Sequence, residues 1–124
     1  MALFKTFKNA FRGLWHFLTS ESNNRIHLSA MVVVIAAGFY FQIARYEWLV
    51  LIVVIGMVLS SEAFNAAVEN LCDEVQPEYN ERIKVIKDIS AGSVLISAIA
   101  AFLAGLIIFL PKILACIIHA SSFG

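Results

Sequence analysis

The sequence has few of the features that usually identify a soluble enzyme or a nucleic-acid-binding protein. Charged residues make up 15% of its 124 residues, and nine basic residues balance nine acidic ones, so the formal net charge is zero. A neutral chain gives no bulk electrostatic reason to bind nucleic acid. The two cysteines, Cys72 and Cys116, have no metal-ligand spacing, and we expect them too far apart to form a disulfide. The phosphate-binding loop G-x-x-x-x-G-K-[ST] and the glycine-rich loop of protein kinases are absent.

Apolar residues are abundant instead. They make up 60% of the chain, with a mean hydropathy of +0.83, whereas soluble domains contain about 45–50%. Because backbone groups in lipid must be hydrogen-bonded internally, long apolar runs without strand alternation predict helices. A spanning helix needs roughly 20 apolar residues. We therefore predict an all-α integral membrane protein with one domain, 1–124, transmembrane helices at about 26–44, 48–72 and 88–110, and a C-terminal tail, 111–124.

The N-terminal segment, about 3–19, has the pattern of a surface helix. Phe4, Phe7 and Phe11 recur at helical spacing, while Lys5 and Lys8 lie away from that stripe. The segment lacks the apolar region and the cleavage site of a signal peptide. We expect a basic amphipathic helix that lies in the membrane interface.

Basic residues set the expected orientation, because cytoplasmic loops carry an excess of lysine and arginine. Most of them precede the first predicted span or lie between the second and the third. With three spans these two groups share a side. We therefore expect the N-terminus and the charged segments on the cytoplasmic side.

Acidic and amide side chains continue the second apolar run. Glu62, Asn65, Glu69 and Asp73 are three, four and four residues apart, so they share one helical face. Asp73 and Glu74 are explained by a helix that emerges into solvent. A solvated helix end does not explain Glu62, because Glu62 lies deeper in the predicted membrane and an ionised carboxylate is costly in hydrocarbon. One carboxylate could hold a hard cation such as Mg²⁺ and another could act as a general base.

A second charged segment, 80–90, contains Lys84, Lys87 and Asp88 and is expected on the same side. For Arg82 and Lys84 we expect a solvated, positive-inside role. Carboxylates and lysines at one membrane surface suit phosphoryl transfer, which needs positioning and charge neutralisation. From spacing alone, a membrane enzyme and a transporter with a cation site both stay open. A small cation carrier or scaffold would use Glu62 and Glu69 as an ion site, although no polar path crosses the predicted membrane.

Three motifs resemble the prokaryotic diacylglycerol kinase family. The first is E-x-x-N-x-A-x-E-x-x-x-D, from Glu62 to Asp73, and the second is KDISAGSVL, 87–95. The third, ESNNRIH, 21–27, is similar to a pattern of the undecaprenol kinase branch. The resemblance covers nearly the whole chain, from about residue 4 to residue 110.

The resemblance implies an ATP-dependent lipid kinase that phosphorylates diacylglycerol or undecaprenol with Mg²⁺ in a bacterial inner membrane. It also implies a homotrimeric bundle whose active sites are shared between protomers. By motif position it assigns Glu62 as the catalytic base and Asn65 as an active-site residue. The implied metal ligands are Glu21 and Glu69. The implied nucleotide-binding residues are Asn9, Glu21, Glu69, Glu78, Tyr79, Asn80, Lys87 and Asp88.

Overall fold

The structure, a computed structural model, describes residues 2–20 and 23–122, and these are helical apart from short connections. The described residues form four helices: α1 (Ala2–Ser20), α2 (Asn23–Tyr40), α3 (Arg45–Val75) and α4 (Glu81–Ser122). No strand occurs in the described residues. The all-α prediction is confirmed.

The chain divides into two compact units, Met1–Ala36 and Ala37–Gly124. In the first unit, α1 spans the predicted surface segment. Its phenylalanines Phe4, Phe7 and Phe11 are all exposed, which gives the helix an uncovered apolar face. A position in the membrane interface stays a prediction.

The first predicted span, 26–44, is not one helix. α2 ends at Tyr40, and Gln42 follows with a positive φ of 51°, a left-handed conformation that stops an α-helix. Ala44 is extended, and its backbone N–H donates to Oε1 of Glu47 at 2.9 Å, which caps the start of α3. The apolar part of α2, Ile26–Tyr40, is shorter than a typical span. Among the described residues, α3 and α4 are long and apolar enough to cross a membrane.

Both long helices extend beyond their predicted bounds. α4 begins at Glu81 because Asn80 caps it: Oδ1 of Asn80 accepts from the backbone N–H groups of Arg82 at 2.9 Å and Ile83 at 3.2 Å. The predicted tail is helical as far as Ser122, and the helix passes through Pro111. A proline removes one backbone hydrogen bond but does not always end a helix.

The second unit is built on the packing of α3 against α4. Its buried apolar residues are few and spread along the helices: Ile43, Leu51, Cys72 and Ile108. Large apolar side chains are exposed along both helices. A surface this apolar does not suit water, because soluble monomers rarely expose large contiguous apolar patches. The fold therefore indicates a membrane location.

One end of the second unit is closed by aromatic contacts around the α2–α3 turn. Trp48 lies over Gly38, where an added Cβ would come within 2.6 Å of the indole ring. The ring centroids of Phe39 and Trp48 are 4.8 Å apart, and those of Phe41 and Phe109 of α4 are 6.2 Å apart. At the same end, Nζ of Lys112 donates to Oε2 of Glu47 at 2.7 Å.

Candidate active site

The polar face of α3 is turned inward and its apolar face outward. Glu62, Asn65 and Glu69 are half-buried. On the other side of the helix, Phe64 is 73% exposed and Leu71 is 64% exposed. In a soluble protein the polar face of a helix is usually the exposed one. The opposite arrangement in α3 suits a helix whose apolar side contacts lipid while its polar side faces protein or a ligand.

Asn65 provides an unused acceptor on this face. Its Oδ1 is buried, and no described residue donates a hydrogen bond to it. Buried polar oxygens normally have a partner, so this atom fits a site that a donor occupies during function. Glu62 lies three residues earlier, on the same face. The acceptor and the carboxylate thus belong to one polar surface.

The polar face leads to a cavity at the end of α3. Glu62 and Asp73 are eleven residues apart, or about 16 Å along the axis at 1.5 Å per residue. Beyond Asp73 a short connection joins α3 to α4, and the cavity beside it measures about 320 Å³. It is lined by Asp73, Gln76, Pro77, Glu78, Tyr79, Asn80, Ile83, Lys84 and Lys87.

Lys87 reaches across this cavity from α4 to α3. Its Nζ donates to Oδ1 of Asp73 at 2.6 Å, and the two side chains are 34% and 64% exposed. Lys87 precedes the apolar part of α4. The hydrogen bond to Asp73 is the main reason that the pKa of Lys87 is raised, and the negative charge of Asp73 acts in the same direction. Lys87 is therefore a cation at neutral pH in the lining of the cavity.

Lys84 and Asp88 form a second ion pair beside the cavity, with Nζ and Oδ2 2.7 Å apart. Both residues are exposed, and this contact is the main cause of the raised pKa of Lys84. Lys84 lines the cavity whereas Asp88 does not. The neighbours Lys87 and Asp88 therefore have different partners. Lys84 is exposed, as expected for a solvated charge, but it also lines the cavity.

The structure brings together some of the predicted site residues. Glu78, Tyr79, Asn80 and Lys87 line the cavity. Asn65 and Glu69 lie on the polar face with Glu62, deeper along α3, and Asp88 lies beside the cavity. In the first unit, Asn9 is exposed on α1.

The described residues include one of the two expected metal ligands, Glu69. They contain no group of three or more histidine, cysteine or acidic side chains placed to hold a metal ion. Glu21, one of the two expected ligands, lies outside the described residues. Glu69 is half-buried on the polar face of α3. A single carboxylate fits the preference of Mg²⁺ for one or two carboxylates together with substrate phosphates and water.

Comparison with known proteins decides the family. The model of the prokaryotic diacylglycerol kinase family matches residues 8–109. The chain belongs to the prokaryotic diacylglycerol kinase family. An undecaprenol kinase from Bacillus subtilis (strain 168) is 34% identical over 110 residues, which cover 89% of each chain. A diacylglycerol kinase from Synechocystis sp. is 32% identical over 117 residues, which cover 94% of this chain and 67% of that protein. The comparison with solved structures found no match.

Membership of this family makes the chain a lipid kinase. A kinase requires a nucleotide co-substrate. The resemblance to the family, based on three motifs, is confirmed.

Sequence reasoning missed the partner of Lys87. Asp73 was expected to be merely solvated at the end of a helix, and it is exposed, but it is also paired with Lys87. Its position on the polar face was a signal for this contact. The contribution of Gln76 and Ile83 to the cavity had no such signal, because it depends on how the connection at 76–80 folds.

Proposed function

We propose that this protein transfers the γ-phosphate of ATP to the hydroxyl group of a membrane lipid alcohol, either undecaprenol or diacylglycerol. The observation that carries this proposal is the polar face of α3, which runs from the half-buried Asn65, whose Oδ1 is buried, to a cavity lined by two lysines. One relative is named an undecaprenol kinase and another a diacylglycerol kinase, so both lipid alcohols are candidate substrates.

The nucleotide would enter the cavity at 73–87. Lys84 and Lys87 supply positive charge for the phosphates, and exposed Tyr79 offers an aromatic surface for the base. Oδ1 of Asn80 is used to cap α4, so its amide N–H groups remain for the ligand. Phosphates that bind Lys87 would replace the carboxylate of Asp73 as its partner.

The lipid alcohol would reach the polar face from the bilayer. Glu62 would accept the proton of the lipid hydroxyl while the oxygen attacks the γ-phosphorus and the bond to ADP breaks. Asn65 would help to position groups at this point, since its buried Oδ1 can accept a hydrogen bond. The exposed apolar residues on the other side of α3 would stay in contact with lipid.

A divalent metal fits this arrangement as a partner of the nucleotide. Glu69, between Glu62 and the cavity, and Glu21 would hold Mg²⁺ together with phosphate oxygens. When bound, Mg²⁺ offsets the negative charge of the phosphates. Asp88 would contribute to the nucleotide site after separation from Lys84, and the family resemblance adds Asn9 as a nucleotide-binding residue.

The protein would be a multi-pass protein of the bacterial inner membrane, with the N-terminus and the active site on the cytoplasmic side, where basic residues are concentrated. It would work as a homotrimer with shared active sites. Protein contact on the polar face of α3 would remove the cost of exposing Glu62 to lipid.

The test is a lipid panel with purified protein, Mg²⁺ and ATP labelled in the γ-phosphate. Undecaprenol, diacylglycerol and a saturated long-chain alcohol are offered separately, and labelled lipid is separated from ATP. We expect label in the product of undecaprenol or of diacylglycerol and little in that of the saturated alcohol. Label in none of them, with a protein that binds ATP, would contradict the proposed function.

A further inference from the structure

The last three turns of α4 carry an apolar stripe that the proposed reaction does not use. Ile113, Leu114, Ile117 and Ile118 are between 39% and 67% exposed. At about 100° per residue they fall within about 140° of the helix circumference. Lys112, Cys116 and His119 cluster on the opposite side. This segment, 113–122, contains no acidic residue, and the matched family region ends before it, at 109.

Two contacts place the start of this segment level with the α2–α3 turn. Phe109 contacts Phe41 in the turn, with ring centroids 6.2 Å apart, and Lys112 pairs with Glu47 in the first turn of α3 at 2.7 Å. Gln42 and Ala44 in the turn are exposed. Non-helical backbone that is not covered by protein does not occur within the hydrocarbon region. The turn, and residues 109–112 with it, therefore mark the membrane boundary opposite the cavity.

α4 is too long to end at that boundary. Its 42 residues extend about 63 Å, whereas the hydrocarbon region is about 30 Å thick. The apolar stripe nevertheless continues past Lys112. It is also in line with exposed residues of the span itself, Leu103, Leu106 and Leu110, which lie on the same face of α4. The surface of α4 that faces lipid thus extends, without interruption, into a segment beyond the charged pair.

We propose that segment 113–122 binds the surface of the phospholipid bilayer on the side opposite the cavity, with its apolar stripe in the boundary between head groups and acyl chains. Amphipathic helices bind in this way, with the apolar face buried and the polar face toward water. Pro111 offers no backbone N–H, so the helix can bend at this point, and the ion pair of Lys112 with Glu47 holds the preceding part against α3. The inference rests on the proposed membrane crossing of α3 and α4.

Spin labels in the full-length protein can test this placement. Single cysteines are introduced into a Cys72→Ala, Cys116→Ala background, and the protein is reconstituted in vesicles of phosphatidylethanolamine and phosphatidylglycerol. The labelled positions are 113, 114, 117 and 118 on the stripe, 116 and 119 on the opposite face, and 102 within the span. Collision rates are measured with oxygen, which concentrates in lipid, and with a water-soluble nickel complex.

We expect the ratio of oxygen to nickel collisions to be several-fold higher at the four stripe positions than at 116 and 119. Equal ratios on the two faces, or a ratio that changes steadily with position, would overturn the proposal, because the segment would then be solvated or upright. Low collision rates of both reagents on the stripe would overturn it too, by showing that protein, such as a second copy, covers the stripe. A water-like ratio at 102 would instead contradict the membrane crossing itself.

A second measurement avoids the cysteine-free background. Cys72 is buried and Cys116 is exposed, so Cys116 can be labelled selectively in the otherwise unchanged protein. Ile117→Ser with Ile118→Ser should increase the mobility of a spin label at Cys116, seen as a narrower spectrum, because the stripe no longer holds the segment at the surface. The control, Ala115→Ser with Ala120→Ser, alters positions outside the stripe and should leave the mobility unchanged. Equal effects of the two pairs would contradict the role of the stripe.

Discussion

Replacing Glu62 with glutamine should remove the catalytic base while preserving the fold. Glutamine has nearly the same shape and adds an amide N–H, which the buried Oδ1 of Asn65 can accept. We therefore expect the variant to fold normally. Loss of a positioned general base usually lowers the rate about 10²–10⁴-fold, and we expect kcat of Glu62→Gln to fall within that range.

Nucleotide affinity should change little, because most of the nucleotide's contacts would lie in the cavity, about 16 Å farther along α3 than Glu62. The assay measures lipid phosphorylation as a function of ATP concentration, so that kcat and KM are separated. Glu74→Gln is the matched control, since Glu74 is an exposed acid on the same helix and belongs to no part of the proposed site. A kcat of Glu62→Gln close to that of Glu74→Gln would refute the assignment of the base.

Three further predictions concern the metal, the fold and the assembly. Glu69→Gln should raise the Mg²⁺ concentration needed for half-maximal activity, and an unchanged Mg²⁺ titration would exclude Glu69 as a ligand. Gly38→Ala should lower the free energy of unfolding by about 1–3 kcal/mol, because its Cβ would meet the ring of Trp48 at 2.6 Å; denaturation in detergent measures this change. Glu62→Gln and Lys87→Met, each inactive alone, should regain part of the activity when their protomers are mixed, and activity equal to the sum of the separate variants would place both residues in one chain.

The sequence allowed the helical fold and the shared polar face of the candidate site to be predicted, because both depend on local patterns. Apolar runs too long for a soluble domain predict membrane helices wherever they occur. The spacing of Glu62, Asn65 and Glu69 predicts a common face for any helix that contains them. Their partial burial beside exposed Phe64 agrees with that expectation.

The ends of the helices were harder to predict, since they depend on single residues. Gln42 ends the first apolar run by adopting a positive φ, which most residue types rarely do. Asn80 caps the first N–H groups of α4, so the helix starts at Glu81, about two turns before the predicted bound at 88. The tail predicted from Pro111 onward is helical as far as Ser122, because α4 continues through the proline.

Contacts between distant residues were not predictable from one sequence. Lys87 and Asp73 are 14 residues apart, and Lys112 and Glu47 are 65 apart. Each pair combines opposite charges, but the chain contains many other possible combinations of acids and bases. Only the packing of α3 against α4 selects these two. The same packing determines which loop residues line the cavity.

The most direct test of the proposed reaction follows both products of one turnover. Purified protein is given ATP labelled in the γ-phosphate and the lipid alcohol that the panel selects, and labelled lipid, labelled inorganic phosphate and ADP are measured together. We predict one labelled lipid phosphate for each ADP formed, and no product of either kind from Glu62→Gln on the same time scale. ADP formation with the label in inorganic phosphate would contradict transfer to a lipid hydroxyl, as would unchanged product formation by Glu62→Gln.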